Sequence, residues 1–124
     1  MNRLVLAVTA VLALAAATAS QVPLSTGIEI LKAEDARRYD SALEKLLASP
    51  SSDVRKRAAL AAGRIGDVRA VRPLAGLLAS DRSTDVREMA AFALGEIESI
   101  DGCDAILGIL DPDRRPGGTD AGVV

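Results

Sequence analysis

Residues 53–78 and 85–110 superpose as text, without a gap, at an offset of 32. Ten of the 26 aligned positions are identical: Asp53/Asp85, Val54/Val86, Arg55/Arg87, Ala58/Ala90, Ala59/Ala91, Ala61/Ala93, Gly63/Gly95, Ile65/Ile97, Gly76/Gly108 and Leu78/Leu110. Other pairs exchange one apolar residue for another, as in Leu60/Phe92, Val71/Cys103 and Leu74/Ile106. A fixed period of this size means a repeat architecture, because each unit is too small to bury its apolar face alone and must stack on its neighbours. Such folds mostly offer surfaces and rarely enclose active sites.

The first residues stand apart from this pattern. Met1-Asn2-Arg3 is a short positive start, Leu4 to Ala17 is apolar apart from Thr9, and Ala17-Thr18-Ala19 fits a small-x-small cleavage site. This is the layout of an export leader, 1–19, with Ser20 as the first mature residue. The apolar run is short for a bilayer span of about 20 residues, so no stable membrane insertion is expected after cleavage. An exported product is expected in the periplasm or outside the cell, with a bacterial envelope the natural setting.

Without Arg3 the remainder carries 14 basic and 17 acidic side chains, a net charge of −3. Tyr39 and Phe92 are its aromatic residues. A nucleic-acid binder needs a basic face and usually aromatic platforms, and the composition supplies neither. One cysteine cannot form an internal disulfide, so the fold must hold by apolar packing.

Along the chain, 20–27 reads as a linker and a first helix is expected from Ile28 to about Arg37. A second runs from Tyr39 to about Ala48, with Leu43, Leu46 and Leu47 on one side, ending in the turn-forming Ser49-Pro50-Ser51-Ser52. Ser52 or Asp53 is placed to cap a third helix to Ile65, and Gly66 to end it. Asp67 caps a fourth to about Ala79, in which Pro73 implies a bend or a late start, since proline removes a backbone donor. Asp85 caps a fifth to about Glu98, and Ser99 or Asp101 starts a sixth ending near Leu110. Short connections make these stacked antiparallel pairs. The expected fold is all-α, a short right-handed α-solenoid over 28–110, in units 28–49, 52–80 and 84–110. Residues 111–124 read as a disordered tail.

Asp53-Val54-Arg55, Ala58-Ala59-Leu60-Ala61-Ala62-Gly63-Arg64-Ile65-Gly66-Asp67 and Arg69-Ala70-Val71-Arg72-Pro73-Leu74 together resemble a HEAT-like repeat of the phycobilisome-lyase type. The second copy departs at Glu98-Ser99, where the Gly-Asp turn would fall. Leu43, Leu46, Leu47, Ala48 and Ser49 recur at an offset of 31 as Leu74, Leu77, Leu78, Ala79 and Ser80. Residues 30–37 are also similar to the start of exported bacterial HEAT-repeat proteins that carry a cyclophilin-type prolyl isomerase domain. The resemblance implies a protein-binding scaffold. It also implies that Arg55 and Arg87 form a ladder between units, each reaching the loop Asp of the next.

Residues able to carry chemistry are sparse. There is no histidine, which removes the commonest general base and metal ligand. Cys103, at the position of Val71, reads as a small buried apolar residue rather than a reactive thiol. Glu96, Glu98, Asp101, Asp104, Asp111 and Asp113 lack EF-hand spacing and read as a solvated face. No Ser sits in a nucleophile elbow. Gly63 and Gly95 lie inside helices at a cost of about 1 kcal/mol each relative to Ala, so both are expected to mark close helix approach. Neither enzymatic activity nor a cofactor or metal is expected.

The two copies differ most in charge. Residues 53–78 carry Arg55, Lys56, Arg57, Arg64, Arg69 and Arg72 against Asp53 and Asp67, a net of +4. Residues 85–110 carry Arg87 against Asp85, Glu88, Glu96, Glu98, Asp101 and Asp104, a net of −5. Arg69 maps to Asp101 and Arg72 to Asp104. These opposite charges either attract across the repeat interface or form a charged ridge, with head-to-tail self-association as a further consequence. The expected partner is a protein, bound in a groove lined by the second helices at Arg69, Arg72, Asp101 and Asp104. The alternative is an accessory or truncated N-terminal part of a longer exported enzyme of lyase-like or prolyl isomerase kind. It rests on the last helix, whose Ile106, Leu107, Ile109 and Leu110 are apolar on more than one side.

Overall fold

A computed structural model describes residues 21–111 and 113. The export leader and most of the tail lie outside these. The described residues form six α-helices and no strand: α1 Leu24–Asp35, α2 Ser41–Leu47, α3 Ser52–Ile65, α4 Val71–Ser80, α5 Thr84–Ile97 and α6 Ile100–Leu110, with a 3-10 turn at Val68–Ala70 before α4. They make three helix pairs in two layers. The first helices α1, α3 and α5 pack side by side, and α2, α4 and α6 follow the same order behind them. Each of the first two second helices leans forward: α2 packs on α3, and α4 packs extensively on α5.

Local chemistry explains the boundaries. The Asp40 carboxylate accepts from the Ala42 and Leu43 amides and opens α2. Ser51 Oγ accepts from Val54 N and opens α3, so the cap falls one residue before Ser52. Asp67 accepts from Arg69 N at the 3-10 turn, and Ser99 Oγ from Gly102 N at α6. Each satisfies an otherwise orphaned donor of a first turn. Asp85 does not cap α5; Ser83 takes the N-cap position without a side-chain bond, and Asp85 lies inside the first turn. The 3-10 turn gives the late start that Pro73 requires, because Pro73 then sits at the third residue of α4, where its missing N–H would have had no partner. The expected linker is shorter than its composition suggests. Pro23 occupies the N-cap position of α1 and its carbonyl accepts from Gly27 N, so residues 24–27 form the first helical turn.

Each first helix ends before a left-handed residue: Arg37 at φ 46°, Gly66 at φ 76° and Glu98 at φ 53°. These fix a common count for the three units. Twelve, eight, five and one residues before the left-handed position stand Val54, Ala58, Ala61 and Ile65 in α3, and Val86, Ala90, Ala93 and Ile97 in α5; all are buried. They pack toward the preceding unit. The same positions in α1 are Ser25, Glu29, Lys32 and Ala36, all exposed. The first unit therefore turns a mostly polar face outward where the others turn an apolar one inward.

The core is rich in alanine, with Ile30, Leu43, Leu74, Val86 and Leu94 as its largest fully buried side chains. Small residues permit close crossing. A Cβ on Gly63 would lie 2.7 Å from the Ala93 Cα, so α3 and α5 approach backbone to backbone there. At Gly95 a Cβ would meet nothing within 4 Å. The expectation of close approach therefore holds for Gly63 and fails for Gly95, because no helix among the described residues lies beyond α5.

Candidate protein-binding surface

The repeat units are held by arginines at the start of the first helices. Arg55, near the start of α3, donates from Nε and Nη2 to the two oxygens of Asp81 at 2.8 and 2.9 Å. Its Nη1 donates backward to the carbonyls of Ser49 and Pro50 at 2.8 and 3.2 Å. The side chains are 11% and 5% exposed, so this bidentate pair is nearly dry. The Arg55 hydrogen bond holds the Asp81 carboxyl below the usual carboxylate range, with burial opposing it and the Ser83 amide assisting. One guanidinium thus ties three successive segments of chain, as the implied ladder requires.

Arg87 repeats only half of this. Its Nη1 donates to the Asp81 carbonyl at 2.6 Å, six residues back as in Arg55 to Ser49, but its Nη2 turns to Thr84 Oγ1 at 2.9 Å. Arg87 pairs with no carboxylate among the described residues. Asp111 forms the same turn as Asp81, its Oδ1 accepting from Asp113 N where Asp81 Oδ1 accepts from Ser83 N. The carboxylate turn is present, but the pair with Arg87 is not closed.

Much of the charge in the second unit is spent on its neighbours. Glu34 receives both Nη atoms of Arg57 and, more loosely, Arg64 Nη1 at 3.5 Å. The hydrogen bond from Arg57 is the main reason its carboxyl is held low, against the effect of burial. Lys56 Nζ reaches forward to Asp85 at 2.8 Å. Attraction across the repeat interface is therefore present at both faces of α3. Arg37 adds a hydrogen bond from Nη2 to the Ile65 carbonyl at 3.3 Å. None of these cross-unit pairs was legible residue by residue, because their partners lie 23 to 30 positions apart in sequence.

The four residues expected to bind a partner occupy the turns that start the second helices. Arg69 is exposed but engaged: it pairs with Asp67, donates to the Tyr39 carbonyl at 3.0 Å and lies 5.9 Å over the Tyr39 ring centroid. Its contact with the preceding unit makes it partly structural. Arg72, in the first turn of α4, is exposed and has no hydrogen bond or ion pair among the described residues. Asp101 is exposed in the first turn of α6, and Asp104 is half-buried one turn on. An open groove of ≈ 610 Å³ between α2 and α4 includes Glu44, Leu47, Pro50, Pro73, Leu77 and Arg82, and none of the four lines it.

Cys103 is exposed, not buried. Its counterpart Val71 follows a 3-10 turn and faces the core. The neighbouring counterparts Ala70 and Gly102 are both buried, so α6 keeps the phase of α4; what it lacks, among the described residues, is a following first helix such as the α5 on which α4 packs. Tyr39 is 4% exposed, and its hydroxyl has no hydrogen-bond partner among the described residues. Burial pushes that phenol up to about 12. No group of three or more His, Cys, Asp or Glu among the described residues is arranged to hold a metal.

Paired helices, stacked in two layers and pinned by inter-unit arginine pairs, define a helical-repeat protein with a solenoid-like stack. The chain belongs to the HEAT-repeat family, whose pattern it matches over residues 6–95 and again over 39–117. No curated protein and no solved structure gave a match.

Proposed function

We propose that this chain is a non-enzymatic scaffold that binds another protein, and that its leader exports it to the periplasm or beyond. HEAT repeats are consistent with an interaction scaffold, and the stacked pairs fit a short right-handed solenoid. The observation that carries the reading is how the side chains divide. Residues shared between the copies, such as Val54/Val86, Ala58/Ala90, Ala61/Ala93 and Arg55/Arg87, are used in packing and in holding loops. Charged residues that reverse sign between the copies, Arg72 and Asp101 among them, are mostly exposed. Binding chemistry is left to those differences. Export draws on the composition of 1–19, and among the described residues no helix is long and apolar enough to cross a membrane.

Affinity capture of cross-linked partners from the envelope fraction tests the reading, using the wild type beside Arg72→Glu with Asp101→Lys. Arg69 is left intact because it holds the Tyr39 loop. A stoichiometric partner that is lost from the variant, with an unchanged melting curve, is the expected result. Equal capture by both forms removes the second-helix surface as the site. A mass spectrum of the exported chain that begins at Met1 removes leader cleavage.

A second reading makes the chain an accessory, or the leading part, of an exported enzyme of lyase-like or prolyl isomerase kind. The favouring observation is apolar surface at the last unit, where Phe92, Ile109 and Leu110 are exposed. Strong binding of a polarity-sensitive dye, together with a low thermal midpoint, would support it.

A further inference from the structure

The last unit repeats half of a contact that is complete one unit earlier. Arg55 and Arg87 share a position, and each bonds backward to a carbonyl six residues before it. Arg55 also closes on the carboxylate turn that follows α4. The turn that follows α6 is the same turn, 30 positions on. Asp111 N donates to the Leu107 carbonyl as Asp81 N does to that of Leu77, both at 2.9 Å. Asp111 Oδ1 accepts from Asp113 N as Asp81 Oδ1 does from Ser83 N. Four residues after Asp81 stands Asp85, which meets Lys56. Four residues after Asp111 stands Arg115, and at the place of Lys56, ten residues before the left-handed position, α5 carries Glu88. The charges are reversed on both sides, so their attraction is kept.

We propose that the chain's own segment 111–124 is the terminal cap of the stack: Asp111 closes on Arg87, Arg115 pairs with Glu88, and the residues that follow cross the outer face of α5 as an extended strap. A repeat array needs a polar cover at its last unit, and here Phe92, Ile109 and Leu110 are 52%, 50% and 74% exposed. The second match to the HEAT pattern runs to residue 117, through this turn. Pro116-Gly117-Gly118 stands where α5 has Val86-Arg87-Glu88. Proline and glycine there interrupt what would be a fourth first helix. Thirteen residues follow Asp111 in the sequence. Extended at about 3.3 Å each they span about 40 Å. The 14 residues of α5 span about 21 Å at 1.5 Å per residue, so the strap is long enough.

The charge pattern selects this occupant, and tethering favours it. The segment leaves α6 through the turn that bears the carboxylate, so its local concentration at Arg87 is high without any further contact. A second copy stacked head to tail would offer Ser25, Glu29 and Lys32 where Val86, Ala90 and Ala93 pack in the closed interface. Ion pairs at a surface contribute little to stability. Asp111 is exposed, whereas the Asp81 side chain is 5% exposed, so Asp111 does not depend on Arg87 to stay ionised. The clasp therefore positions the segment more than it stabilises the fold. The inference does not rest on the scaffold reading, whose Arg72 and Asp101 surface it leaves untouched.

The test places a nitroxide on the segment. The full, isotope-labelled chain with Cys103→Ser and Thr119→Cys is spin-labelled at the new thiol and followed by amide NMR. Broadening of Glu88, Ala91 and Phe92 is expected. Glu88→Arg should reduce it at least twofold, and adding Arg115→Glu should restore it. High salt should also reduce it where both charges are kept, which tests the pair without a charge variant. Glu88 is exposed, so its variant should fold, which a melting curve checks. Absence of broadening at those residues, broadening unmoved by Glu88→Arg and by salt, or failure of Arg115→Glu to restore it would overturn the proposal. Spin-labelled chains of natural isotope abundance are also mixed with isotope-labelled chains that lack the nitroxide. Broadening in that mixture places the contact between copies and overturns the proposal in favour of self-association. Loss of capture in the Arg72/Asp101 variant reads the other surface, so the two proposals fail separately.

Discussion

The face between α3 and α5 and the outer face of α5 are built from nearly the same residues and behave differently. Gly63 and Gly95 occupy one register, yet Gly63 lies against the Ala93 backbone and Gly95 faces open space. Arg55 and Arg87 share a position, yet only Arg55 closes a bidentate pair. A repeated residue therefore has a repeated role only where its neighbour is also repeated. In a stacked array, energy belongs to interfaces between units as much as to the units themselves.

The sharpest way to break this comparison is substitution at the paired glycines. Gly63→Leu should destabilise by about 3 kcal/mol or prevent folding, since the neighbour it meets is backbone that cannot step aside. Gly95→Leu should be neutral or stabilising by up to about 1 kcal/mol, because leucine is the better helix former and nothing obstructs it. Urea unfolding of both variants gives the contrast directly; equal losses would mean that another helix covers α5.

Next in size is the arginine pair. Arg55→Gln should cost about 1–3 kcal/mol, since it leaves the nearly buried Asp81 carboxylate without its cation. Arg87→Gln should cost less, because no carboxylate depends on it. The same pair sets an acid limb. Asp81 has a lowered pKa in the folded protein, so its contribution is present above the ordinary carboxylate range and is lost as pH falls through the depressed value. Asp81→Asn should be less stable at neutral pH and show a flatter fall in midpoint below about pH 4. A parallel acid profile would place the titration elsewhere.

Smaller effects come from the turns. Glu98 holds a left-handed conformation that glycine adopts at Gly66. Glu98→Gly should therefore gain about 0.5–1 kcal/mol, read as a rise in thermal midpoint, whereas Gly66→Ala should lower it. The least effect is expected from Lys56→Gln, since the Lys56–Asp85 pair is exposed on both sides. Its midpoint should approach that of the wild type as salt rises, and a difference unaffected by salt would give Lys56 a packing role.

Much of the fold was legible because its signals are local and repeated. The helix count, the Gly66 terminus, the Asp67 and Ser99 caps and the late start at Pro73 follow from residues within a few positions of each other. The errors are non-local. The linker at 24–27 is helical because α1 packs on α3, which the turn-like composition of Ser25, Thr26 and Gly27 conceals. Cys103, at the position of the buried Val71, reads as buried and is exposed, on a helix that has no following first helix among the described residues. The hydrogen bond of the exposed Arg69 to the Tyr39 carbonyl, 30 positions earlier, likewise has no local mark in the sequence.

The sequence by itself determined the period, the helices, and the division between small buried residues and charged exposed ones, because helix caps, proline and alternating polarity act over a few residues. Only the tertiary structure decided which of two identical positions is in contact and which is open. Contact depends on whether a further unit lies beyond, and a residue carries no local mark of what stands across from it.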